Sequence, residues 1–94
     1  MAENIDDITI NYEQDGKLLV KELKKEILTR GGWTTIMFFY QELDRNTNEY
    51  KEPQVSIRRF QKRNGEFKLQ SKFKISNKKQ TLQIIDVLKQ WYEI

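Results

Sequence analysis

Between Val55 and Ser76 the chain sets Arg58, Arg59, Lys62, Arg63, Lys68, Lys72 and Lys74 among Val, Ile, Phe and Leu, with Glu66 as the only acid. Seven of its 17 basic residues therefore fall within one prospective hairpin. Cations at this density attract a polyanion, and the rings between them offer faces on which flat groups stack. Acid–base chemistry has little to work with, because the sequence contains neither His nor Cys. That removes the usual general base near neutral pH, the commonest metal ligand and any thiolate nucleophile. The carboxylate pairs Glu22/Glu26 and Asp6/Asp7 lack a nucleophile or a glycine-rich context and read as solvated surface charges. No phosphate-binding loop of the P-loop type is present. The expectation is a protein that is not an enzyme, with no metal and no cofactor.

The net charge of +3 is unevenly spread. Residues 1–50 carry six basic and ten acidic groups, whereas residues 51–94 carry eleven basic and four acidic ones. A cationic C-terminal half points to nucleic acid or an acidic membrane as partner. The plain alternative is that Lys on strand faces merely serves solubility and discourages edge pairing. No apolar run approaches the roughly 20 residues needed to span a bilayer, and "MAENIDDITI" is acidic where a signal peptide starts basic. A cytoplasmic protein, the nucleoid included, is expected, without a membrane partner.

At 94 residues, with 37% apolar content, the chain has room for one thin core and hence one domain, residues 1–94. Asp15-Gly16, Gly31-Gly32 and Asn64-Gly65 punctuate it at hairpin intervals. Between them lie five prospective strands: Ile8 to Tyr12, Lys17 to Leu28, Trp33 to Leu43, Gln54 to Lys62 and Glu66 to Ile75. Residues 1–16 form an added N-terminal strand or arm. In "KLLVKELKKEIL" the spacing of Leu19, Leu23 and Ile27 also suits a helix, but the flanking turns favour a strand. "DRNTNEYKEP" reads as a loop closed by Pro53.

After Ser76 the period changes. Ile84, Ile85, Leu88, Trp91 and Tyr92 recur at helical spacing, and Asn77 stands three residues before Gln80, as in a capping box. The predicted architecture is α+β: an antiparallel β-meander of four to five strands followed by one C-terminal helix. The helical stripe must be covered by a sheet face or by a second copy of itself; Trp91 and Tyr92 read as core or dimer interface.

Alternation in the last strand separates Phe67, Leu69, Ser71, Phe73 and Ile75 from Lys68, Gln70, Lys72 and Lys74. The preceding strand sets Val55 and Ile57 against Ser56, Arg58, Phe60 and Lys62, which leaves Phe60 as an exposed ring on a basic face. "WTTIMFFYQEL" is apolar on both sides and belongs in the sheet centre. Cations that neutralise phosphates, interleaved with rings that stack on unpaired bases, suit a single strand of nucleic acid.

"GGW" opening a strand, "EPQVSIRRF" leading into an Ile-Arg-x-aromatic strand, a polar basic turn, and "KFKIS" just before the helix resemble the single-strand DNA-binding transcriptional positive-coactivator family, including its short bacterial members. The resemblance spans roughly residues 17 to 94. It departs in the tighter turn "QKRNGE", in Phe73 where Gly is usual, and in the extra N-terminal segment. The resemblance implies a homodimer whose helices meet through Ile84, Leu88, Trp91 and Tyr92, and whose curved sheets hold single strands with weak sequence specificity in transcription regulation or DNA maintenance. It further implies that Arg58 contacts the backbone, Phe60 stacks, and Lys72 and Lys74 line the same face. Trp33 stacks or anchors the core, and Lys62, Arg63 and Lys68 follow phosphates around the turn. Single-stranded DNA is the expected partner, with RNA as the other choice. The rival reading is a protein-interaction module that uses an exposed aromatic face or sheet edge.

Overall fold

In the computed structural model, which describes residues 4–94, the chain forms a single antiparallel sheet and one helix. A 3-10 turn at Ile5–Asp7 is followed by β1 (Tyr12–Gln14), β2 (Lys17–Thr29), β3 (Trp33–Asp44), β4 (Glu49–Tyr50), β5 (Gln54–Arg63), β6 (Glu66–Ile75) and α1 (Lys78–Tyr92). The sheet order is β1-β2-β3-β5-β6, with β4 paired to the end of β3. This is the expected meander with its C-terminal helix. The ambiguous segment "KLLVKELKKEIL" is a strand.

The turns form because their residues accept left-handed backbone. Asp15 and Gly16 have φ of 53° and 77°, and Asn64 and Gly65 have φ of 51° and 80°, the double positive φ that closes two-residue hairpins. The connection after β3 is not wholly irregular. Glu49 and Tyr50 pair with Asp44 and Leu43, and the Tyr50 hydroxyl donates to the Leu18 carbonyl at 2.8 Å. Helix α1 starts where Asn77 Oδ1 accepts from the Gln80 amide at 2.7 Å, while Gln80 Oε1 accepts from the Ser76 amide at 2.8 Å.

The first predicted strand is corrected. Ile8 to Tyr12 does not join the sheet as a strand; β1 begins only at Tyr12. Residues 4–11 instead lie across one face of the sheet. Lys25 Nζ donates to the carbonyls of Asp6 and Ile8 at 2.8 and 2.7 Å. Glu22 Oε1 accepts from the Thr9 hydroxyl at 2.8 Å, and the Glu22 amide donates to Asn11 Oδ1 at 2.7 Å. These polar clamps press Ile8 and Ile10 onto Ile36, Phe38, Tyr40, Phe60 and Phe67, and the seven form the buried core. Residues 1–3 of the predicted arm lie outside the described residues.

Phe60 is therefore an interior residue, 7% exposed, and its expected place as an uncovered ring is overturned. Its face is the one that the N-terminal segment seals. Truncating a buried Phe to Ala costs about 3 to 5 kcal/mol, and Ile to Ala about 2 to 5 kcal/mol. Phe60→Ala and Ile10→Ala should each lower the unfolding free energy on this scale in urea denaturation. An unchanged midpoint for either would mean that the segment does not rest on the sheet.

Candidate nucleic-acid interface

Directly opposed residues of an antiparallel pair share a face, so the register sorts every candidate side chain. The inner face, partly covered by the N-terminal segment, takes Thr34, Ile36, Phe38 and Tyr40 from β3 and Ser56, Arg58, Phe60 and Lys62 from β5. The outer face takes Trp33, Thr35, Met37 and Phe39 from β3 and Val55, Ile57, Arg59 and Gln61 from β5.

Strand β6 does not keep one parity. Ser71 opposes Arg59 but Leu69 opposes Phe60, so Gln70 is an extra residue, a β-bulge. On the N-terminal side of the bulge, Phe67 and Leu69 point to the inner face and Lys68 to the outer. Beyond it, Lys72 and Lys74 point inward while Ser71, Phe73 and Ile75 point outward. The clean separation expected of this strand is thus wrong at one residue. The expected cations divide into two groups as a result.

On the inner face Arg58 opposes Lys72, and Ser56 opposes Lys74. Arg58 is half-buried, and its Nε donates to Ser56 Oγ at 3.1 Å. Burial lowers its pKa, although a guanidinium stays charged at neutral pH. Among the described residues no carboxylate lies within ion-pair distance of Arg58. Lys74 pairs with Glu42 at 3.3 Å on the exposed rim, where such a pair contributes about 0 to 1 kcal/mol. Tyr40 lies within the influence of these charges. Burial raises its pKa, and the positive charges of Lys74 and Arg58 oppose the rise. Lys62 lies on the same face toward the hairpin tip, 5.6 Å from the centroid of the buried Phe67 ring. It borders a depression shared with Asp6, Asp7 and Arg30.

On the outer face Trp33 opposes Gln61, which in turn opposes Lys68. Trp33 is 46% exposed, so it does not anchor the core. The Arg59 guanidinium lies over its ring at 4.6 Å from the centroid. Arg63 closes the row at the tip, its Nε donating to Gln61 Oε1 at 2.9 Å. This ring-and-cation cluster is where the sequence pattern of alternating charge and aromatic is realised. Arg59 was not among the expected contacts. The long β3–β5 connection hides the register that brings it to Trp33.

Toward the other end, the outer face becomes apolar. Met37, Ile57 and Phe73 form one cross-strand row, and Phe39, Val55 and Ile75 the next. Phe39 and Phe73 remain open to solvent. The second row borders a depression of about 580 Å³ that reaches the start of α1 at Lys78 and Thr81. None of the helix residues is buried, and Leu88, Trp91 and Tyr92 are exposed.

A guanidinium over an exposed indole contributes about 0.5 to 1 kcal/mol. A double-mutant cycle of Arg59→Ala and Trp33→Ala in urea denaturation should return a coupling of that size, and a coupling of zero would show the pair apart in solution. No protein-family model matches the chain, and no curated protein or solved structure does either, so the functional reading rests on the chemistry of these two faces.

Proposed function

We propose that this chain is a non-catalytic single-stranded nucleic-acid-binding protein of weak sequence specificity that works as a homodimer. The observation that carries the reading is Arg58, a half-buried cation without a carboxylate partner among the described residues, aligned with Lys72 across the β5–β6 ladder. A desolvated guanidinium is costly to keep unless an anion completes it, and a phosphate accepts its two-pronged donor geometry. Lys72 and Lys74 add two flexible point charges beside it. Such groups hold the backbone without reading base edges, which is why sequence preference should be slight. The stacking surface is Trp33 rather than Phe60. The resemblance of the Ile-Arg-x-aromatic strand to the positive-coactivator family supports the same ligand.

What the single chain leaves uncovered supports the homodimer. A helix of 15 residues is marginal alone in water, yet no residue of α1 is buried. The radius of gyration is 15.1 Å, whereas about 12 Å is expected of a compact chain of this length. A second copy would cover Ile84, Leu88, Trp91 and Tyr92 together with the apolar rows of the outer face. The exposure of Phe39 and Phe73 also favours a second reading, a module that docks a different polypeptide on that face.

Titration with mixed-sequence oligonucleotides, single- and double-stranded, at low and moderate salt tests the ligand. Single strands should be preferred at both. Arg58→Ala should weaken binding by roughly ten-fold or more, since a hydrogen bond to a charged group contributes about 1.5 to 3 kcal/mol. Equal loss of both ligands with salt would reduce the site to bare charge, and no binding at low salt would favour the docking module. Sedimentation should give twice the chain mass, and Leu88→Glu should halve it.

A further inference from the structure

The two cationic groups lie on opposite faces of the sheet, yet both reach the same edge. Strand β6 is terminal in the sheet, and its bulge sends Lys72 and Lys74 to one side of that edge and Lys68 to the other. Resting on the nucleic-acid reading above, we infer that one bound strand crosses the β6 edge at Gln70, running from Arg58 and Lys72 on the inner face to Lys68 and Arg59 on the outer.

The surface along this path fits the crossing. Leu69, Gln70 and Ser71, which form the saddle between the two cationic groups, are exposed and uncharged. On the inner side the path is bounded by the N-terminal segment that covers Phe60 and Phe67, in which Asp6 is paired with Arg30 at 3.2 Å and Asp7 adds a negative charge. On the outer side it is bounded by the apolar row Met37–Ile57–Phe73. An edge strand also carries free backbone N–H and C=O groups that a ligand can use. Lys on an edge strand serves equally to block unwanted pairing, but Arg58 and Arg59 are on β5, one strand inside, where that duty does not arise.

The path explains selection by shape. One strand spacing on each side and the thickness of the sheet sum to roughly 20 Å of sharply curved track. A duplex with a persistence length of about 50 nm cannot follow it; a single strand can. Three cations on each side also predict a salt signature. Single strands lose affinity with a log–log slope of about −0.7 per phosphate neutralised, which gives about −4 for the whole path and about −2 for either side.

The test measures this slope for the full chain with oligothymidines of about three and about twelve residues, a range that brackets one binding module. Two surface variants are compared, Lys72→Gln with Lys74→Gln, and Arg63→Gln with Lys68→Gln, after circular dichroism shows that both melt as the parent does. The longer oligomer should show a slope of about −4 in the parent and about −3 in each variant, and the shorter one no more than about −2 in the parent. A longer-oligomer slope that ignores the Arg63/Lys68 variant, while still falling with the Lys72/Lys74 variant, confines the ligand to the inner face and overturns the crossing alone. Failure of the parent to bind either oligomer overturns the nucleic-acid reading and the crossing together.

Discussion

Eight residues of N-terminal chain, Asn4 to Asn11, decide which part of a two-faced sheet becomes interior. A lone sheet cannot bury both of its surfaces, and here Ile8 and Ile10, pinned by Lys25 and Glu22 and flanked by the partly buried Ile5, cover Ile36, Phe38, Phe60 and Phe67. Once that area is sealed, everything else follows by subtraction. Arg58, Lys72 and Lys74 remain on the uncovered part of the inner face. On the outer face Phe39, Phe73 and the Trp33 cluster stay open to solvent, while Ile75 at the end of its row is buried.

The sorting of charge depends on a single residue. Without Gln70 as a bulge, Lys68 would share a side with Lys72 and Lys74, and Phe67 would face away from the core. With it, Phe67 joins Phe60 under the N-terminal segment at 4% exposure, and the hairpin carries cations on both sides of its edge. The bulge thus serves stability and charge placement together: the parity change that buries a ring also moves a lysine.

Much of the architecture was legible in the sequence because its signals are local. Asp15-Gly16 and Asn64-Gly65 announce hairpins through their tolerance of positive φ, Asn77 and Gln80 announce a helix start, and alternation fixes the four long strands to within a residue, though not β1 or the short β4. Phe60 misled for a different reason. Its parity was read correctly, on the side of Arg58, but that side is covered by a segment distant in sequence, and nothing near Phe60 encodes the cover. The bulge is hidden because "FKLQSKFK" alternates without a break, so only pairing with β5 reveals the slip. Arg59 interrupts an apolar face and so does not read as a contact from the sequence; its partner Trp33 is identified by a register that the long β3–β5 connection leaves open.

The bare helix has a thermodynamic corollary. If α1 is held only by a neighbouring copy, its helicity becomes a function of total protein concentration through mass action. Dilution then unwinds the C-terminus before it melts the sheet, and the two parts of one small chain lose cooperativity.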